Sequence, residues 1–344
     1  MPHNAIESSP WHTDPGAFPP YAPETERLQF LINYAVLAPS GHNSQPWRFQ
    51  VRGQEAALYA DRSRARRAAD PNDRELILSC GAALFNLRVA IRRFGYVCNA
   101  DLLPDPSDPD LMAVIRLSGR QVPDAVDHRL FDAIPKRHTN RGAFEWRRIA
   151  EPLLDQLSEA GRAEGATVEW FQQDGERSLL ADLVAEADET HFRDPQYREE
   201  LSHWVRSSFR PRPDGVPAEA LESDGQVASL AGMLPRVSGK ARAVGDTHAR
   251  LIVDAPAVAV VATAMDDPTA WLAAGQALER ILLDAAAEGL SASFFNGPIE
   301  VPEMRARLQR TLLQGGYPQI AFRLGYAEPA PETPRRAAGD VLKP

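Results

Sequence analysis

The stretch Ala38-Pro39-Ser40-Gly41-His42-Asn43-Ser44-Gln45-Pro46-Trp47 decides how the rest of the chain is read. It closes the run 27–37, whose apolar residues recur at helical spacing. Pro39 stops that helix, because proline lacks an N–H and restricts the residue before it. Ser40, Gly41 and Asn43 then make a polar turn with small side chains. Trp47-Arg48-Phe49-Gln50-Val51 alternates like a half-buried strand over 47–52. Helix, turn and strand together set several donors on one rigid corner, which suits a flat heteroaromatic ligand. An ordinary connection, with Ser40 and Asn43 satisfying their own turn, has the same spacing.

Outward from this corner the pattern recurs. Pro23-Glu24-Thr25-Glu26 opens the first helix, with acidic residues at its positive end. A second strand is expected at 56–60. Asp70-Pro71-Asn72-Asp73 should cap a long helix over 74–94, and 112–117 reads as a strand. Then come a helix at 150–161, a strand at 167–171 and a charged helical stretch at 177–209. A Pro/Gly-containing segment of weak periodicity follows at 210–245. A buried strand at 257–262, a long helix at 271–288 and a strand at 320–324 complete the order. Both long helices carry small residues, Ser79-Cys80-Gly81-Ala82-Ala83 and Ala273-Ala274-Gly275-Gln276-Ala277. If the order is a true internal repeat, these patches should pack together about a pseudo-twofold axis.

Lys136-Arg137-His138-Thr139-Asn140-Arg141 lies just before the second helix–strand set. Two guanidinium forks with a hydroxyl between them suit a phosphate, although a solvated basic linker has the same composition. The basic run Arg62-Ser63-Arg64-Ala65-Arg66-Arg67 is expected to be a solvated face. A net charge of −9 over 344 residues argues against nucleic-acid or anionic-membrane partners. Two cysteines without metal spacing, and eight scattered histidines, argue against a disulfide framework or a metal enzyme. The run 255–265 is too short to span a bilayer. The start has no basic region followed by an apolar core, so a cytoplasmic location is expected.

The string 38–47 strongly resembles the loop after the first long helix of the FMN-dependent nitroreductase family. The string 136–144 resembles the Arg-x-Ser/Thr-x-Lys/Arg motif with which that family holds the FMN phosphate. Gly289-Leu290-Ser291-Ala292-Ser293-Phe294-Phe295-Asn296-Gly297 resembles its flavin-facing segment. Phe322-Arg323-Leu324-Gly325-Tyr326 followed by Pro334-Arg335-Arg336 resembles its closing strand and last phosphate-binding residues. Ordinary members of the family are homodimers. Here one half has the Pro-Ser loop without the phosphate motif at 19–23, and the other has the motif without the loop at 161–165. This complementarity resembles the Acg-like branch of fused repeats.

The resemblance implies an α+β, nitroreductase-like fold duplicated within one chain as a pseudo-dimer. Its expected parts are an arm at 1–23, a first lobe at 24–130, a second lobe at 131–337 with a lid at 203–250, and a tail at 338–344. It further implies FMN as cofactor, NAD(P)H as electron donor and a nitroaromatic, quinone or similar small flat acceptor. Arg137, Thr139 and Arg141, with Arg335 or Arg336, would meet the phosphate. Ser40, Asn43 and Gln45 would bond the ring's polar edge, with Pro39, His42 and His138 nearby. Phe295, Asn296 and Gly297 would lie near the flavin's N5 and O4. No side chain is required as nucleophile or base, so no catalytic residue is assigned. In the lid, Arg206, Phe209, Arg210 and Arg212 would cover the open face of the flavin, unless the segment is a surface excursion with no role in access. A lid held shut would leave a flavin-binding or flavin-sequestering stress protein instead of an enzyme. A hydrolase using Ser40 with His42 lacks a third orienting group and a Gly-x-Ser-x-Gly elbow. The chain is expected to be a monomer, with its pseudo-dimer internal, or a homodimer.

Overall fold

A computed structural model describes residues 9–206, 212–218, 241–313 and 315–343. The helix Glu24–Ala35 leads through the polar turn into β1 (Trp47–Arg52) and β2 (Glu55–Ala60). These pair antiparallel, Trp47 opposite Ala60, around Gly53 at φ 56°. A first central helix, Arg74–Arg93, leads to β3 (Tyr96–Leu102) and β4 (Leu111–Arg120), and the sheet order is β1-β2-β4-β3.

The second half repeats this plan. The helix Glu151–Ala163 precedes β5 (Thr167–Trp170). The helices Asp174–Arg193 and Pro195–Trp204 and the short parallel pair β6 (Val205–Arg206) and β7 (Val216–Pro217) follow. Then come the helix Ala241–Val253, β8 (Ala257–Thr263), a second central helix Pro268–Ala287, β9 (Ser291–Phe294) and β10 (Tyr317–Gly325). Here the order is β5-β8-β10-β9. In both sheets the strands run first, second, fourth, third, with a long helix between second and third.

The two central helices cross at their small residues. A Cβ on Gly81 would overlap Leu272 O, and one on Gly275 would overlap Leu78 O. Each such Cβ would also lie 3.0 Å from the Cα of the other glycine. Side chains are excluded here, so the helix backbones approach closely and the expected packing of the two patches is observed. The first core gathers Leu28, Leu31, Ile32, Trp47 and Phe49 under the first sheet. The second gathers Leu157, Leu278, Ile281 and Phe322 under the other.

Several expected elements differ. The helical stretch 177–209 is two helices, because Pro195 has no N–H and Asp194 is extended, its carboxylate accepting from Gln196 N (2.8 Å). The helix Ala125–Ala133 was not expected, though Asp124 and Asp127 form a capping box. Nor were β3 and the helix Pro302–Leu312. The segment 210–245 contains the start of a helix at Ala241, and its residues 219–240 lie outside those described. The long helix at Arg74 is capped from a distance: Leu76 N donates to the Asp70 carboxylate (3.0 Å). Asp73 instead accepts from Arg62 and Arg67.

Candidate functional site

The turn after the first helix is held in a costly backbone. His42, Asn43 and Gln45 have φ of 50°, 54° and 50°, a region that costs L-residues roughly 1–2 kcal/mol each. Local bonds hold it. Asn43 N donates to Ser40 O (2.9 Å), Ser44 N to Gly41 O (3.0 Å) and Gln45 N to Ser40 Oγ (2.9 Å). Gly41 lets Arg66 approach closely: a Cβ there would lie 2.5 Å from its guanidinium, which would have to shift. Strain kept in place by its surroundings is a mark of functional sites.

The turn forms one wall of a cavity of ≈ 250 Å³. One water needs on the order of 10 Å³ by the same measure, so the space suits a ligand of several rings. Pro39, Ser40, His42 and Asn43 line it from the first half, and Thr139, Arg141, Phe295, Asn296 and Gly297 from the second. Leu78, Ser79 and Leu278, from the two central helices, and Arg335, from the tail, complete these walls.

Thr139 is placed by a parallel bridge to Ala292, with Asn140 N donating to Ala292 O (2.8 Å). This short extension of β9 aims Thr139 and Arg141 at the cavity. Arg335 Nη1 donates to Asn43 Oδ1 (2.9 Å), which ties the tail to the turn, and its Nε has no hydrogen-bond partner among the described residues. Burial and then Arg137 pull the Arg335 guanidinium below its usual range.

Four expected residues do not reach the cavity. Arg137 is buried one layer behind, Nη2 donating to Leu37 O (2.7 Å) and Nε lying 3.4 Å from the Glu279 carboxylate. His138 packs against Trp11 at 4.5 Å, and burial and then Arg137 lower its pKa to about 4. Gln45 accepts from Arg336 N (2.8 Å) and donates to Pro213 O (2.7 Å). Arg336 donates to Gln45 O (3.2 Å) and Asp340 O (2.7 Å). Gln45 and Arg336 therefore brace the turn from behind.

Glu279 is fully buried, and burial raises its pKa to about 7 against the pull of Arg137. A raised carboxyl pKa means that folding favours the protonated form. That contribution is complete below the ordinary value of 4.5 and is lost as pH rises through about 7. Against Glu279→Gln, the wild type should therefore lose up to about 3 kcal/mol of relative stability between roughly pH 5 and pH 8. Urea unfolding of both proteins at the two pH values measures it. Parallel curves would sink the assignment.

The cavity also has a charged lining, which was not expected. The run 62–67 is solvated only in part: Ser63 and Arg67 are exposed, but Arg66 is not. Arg66 is 5% exposed, bonds Glu75, and Nη1 donates to His42 Nδ1 (2.8 Å). His42 is thereby fixed as the neutral acceptor, and burial with Arg66 and Arg141 holds its pKa well below the usual range. His191 stacks on Tyr197 (4.3 Å, 9°), and His248 Nδ1 lies 2.8 Å from Asp188. All of these residues, with Glu300, line the cavity. Burial and the neighbouring Glu75 push the Glu300 carboxyl up to about 8.

Of the expected lid, Phe209 and Arg210 lie outside the described residues. Arg206 pairs with Asp214 (2.9 Å), and Arg212 is exposed. The segment 212–218 is fastened to the turn: Gly215 N donates to Asn43 O (3.1 Å) and Asn43 Nδ2 to Gly215 O (2.9 Å). Asp214 also bonds Arg64. Among the described residues there is no metal-ligand cluster, and no helix is long and apolar enough to cross a membrane.

No family model matches the chain. Two proteins of Mycobacterium tuberculosis named "Putative NAD(P)H nitroreductase" match nearly its full length. Rv3131 is 33% identical over 334 residues, 96% of this chain and 94% of its own. Acg is 30% identical over 330 residues, 92% and 96% respectively. Among solved structures, the FMN and NADPH-dependent nitroreductase NfnB of a sphigopyxis strain is 18% identical, with a TM-score of 0.41 over 62% of this chain.

Proposed function

The chain belongs to the nitroreductase family, and from that premise we propose that it is an FMN-dependent NAD(P)H oxidoreductase. Its acceptors are nitroaromatics, quinones or similar flat molecules, reduced in a ping-pong cycle. One observation carries the reading: a single cavity is walled by the strained turn of one half, the Thr139–Arg141 string of the other, and Arg335. The buried Arg335 Nε without a partner fits the phosphate of FMN, and the apolar floor of Leu78 and Leu278 fits its ring.

When bound, FMN would supply the hydride chemistry between nicotinamide and acceptor. The protein would supply the rest. Thr139, Arg141 and Arg335 would hold the phosphate, with the charge of Arg137 behind them. Pro39, Ser40, His42 and Asn43 would border the ring, with the arginine-bonded His42 presenting Nε2–H as a donor. Phe295, Asn296 and Gly297 would face the ring from the second half, where donors favour negative charge. Both parts of the site come from one chain, so no second subunit is needed. Two free cysteines suit a reducing, cytoplasmic setting.

A second reading has an observation of its own. The segment 213–215 is hydrogen-bonded across the turn, and a cover that stays there would make this a flavin-sequestering protein. One experiment separates the two. Loaded with FMN without oxygen, an enzyme should bleach on adding NADPH and regain its yellow colour with a quinone. A protein that holds FMN but ignores reduced nicotinamide favours sequestration. Failure to bind FMN contradicts both.

A further inference from the structure

Glu300 stands in the wall between two cavities. One is the cavity described above. The other, ≈ 290 Å³, is bounded by Asp70, Arg74, Asp266 and Arg305 and rimmed by the exposed residues Asn72 and Tyr317. Within the wall the two carboxylates are unequally partnered. Glu75 bonds both Arg66 and Arg74, the latter at 2.9 Å. Among the described residues, Glu300 has only a long contact to Arg66 (3.4 Å) and faces His191 Nε2 at 3.7 Å. Two carboxylates sharing one arginine do not ionise equally, and the less well partnered one keeps its proton.

Resting on the flavoenzyme reading, we propose that Glu300 is the proton donor of the acceptor half-reaction, with His191 as its positioning partner. Reducing a quinone to a hydroquinone consumes one hydride and one proton. The hydride comes from the reduced cofactor. The Glu300 O–H bond breaks as the acceptor's O–H forms, and the carboxylate left behind regains a proton from water through the second cavity. The groups facing Glu300 are Arg66, Asp70, Arg74 and Glu75 on one side, and His191 and Tyr197 on the other. Glu75 and Asp70 raise its proton affinity, and Arg66 and Arg74 lower it.

The test compares wild type with Glu300→Gln, each loaded with FMN, reduced by dithionite and mixed with benzoquinone or with ferricyanide. Ferricyanide takes electrons without a proton. Quinone reoxidation should slow by about 100-fold in the variant, the scale of one general acid, with ferricyanide reoxidation and FMN affinity unchanged. The wild-type quinone rate should fall as pH rises through the Glu300 titration, and the variant rate should not. Glu300→Asp should recover part of the rate. In flavin-free protein, the infrared difference between wild type and Glu300→Gln should show one protonated carboxyl band that titrates. Equal slowing with both acceptors, an unaltered quinone profile, or no such band overturns the proposal. Failure of the underlying reading shows elsewhere, as no flavin bound or no bleaching by NADPH.

Discussion

Gly275→Ala should destabilise the protein by about 3 kcal/mol or more, lowering its midpoint by roughly 6 °C. In an ordinary helix interior the same change gains about 1 kcal/mol, because glycine is the poorer helix former. Here the new methyl overlaps Leu78 O and lies 3.0 Å from Gly81 Cα. Both obstacles are backbone in the other central helix, so no rotamer change relieves them and the helices must separate. Leu78 and Leu278 form the cavity floor on these helices, so FMN retention should fall with stability. Gly175→Ala is the contrast: that exposed glycine sits in the first turn of its helix with nothing within 4 Å, and the change should be neutral or stabilising. Thermal unfolding of both variants decides. A Gly275→Ala protein as stable as wild type would remove the close crossing from the account of the fold.

That crossing was legible in the sequence because it is local. A run of small residues on each of two largely buried helices, interrupted only by Gln276, favours close packing, and most of the strands around them carry alternation or burial. The turn at 38–47 was legible for the same reason, since Pro39 and the Ser/Gly/Asn composition dictate it before any tertiary contact forms. What could not be read depends on partners far along the chain. Arg66 lies in a run of four arginines that looks solvated, and nothing nearby announces that Glu75 and Glu300 will bury it. Glu300 becomes part of the site only through its place between two cavities. Gln45 and Arg336, 291 positions apart, are ligand contacts by family resemblance, yet each satisfies the other. A buried amide must find a partner, and sequence does not say whether that partner is cofactor or protein.

Arg335→Met should abolish most of the preference for FMN over riboflavin. The two flavins share the ring and differ in the phosphate, so their affinity ratio isolates the proposed clamp from ring recognition. Arg335 lines the cavity, stacks 4.8 Å over Trp11 and keeps a buried Nε without a hydrogen-bond partner. Its charge has little local compensation, because Glu279 lies nearer to Arg137 and its proton affinity is raised. A charge-assisted contact to a phosphate in such a place is worth about 2–4 kcal/mol, or about 100-fold in affinity. Methionine keeps the apolar contact with Trp11 and removes the fork, together with its bond to Asn43 Oδ1. FMN affinity should therefore drop by about that factor more than riboflavin affinity does, so that their ratio falls toward one. Arg336→Met supplies the internal comparison, since that guanidinium braces Gln45 O and Asp340 O behind the turn. It should weaken both flavins alike by loosening the turn, leaving their ratio intact. Fluorescence titration of each apoprotein with both flavins gives the two ratios. A wild-type protein that binds riboflavin as tightly as FMN, or an Arg335→Met protein that keeps the full preference, would move the phosphate to another part of the cavity.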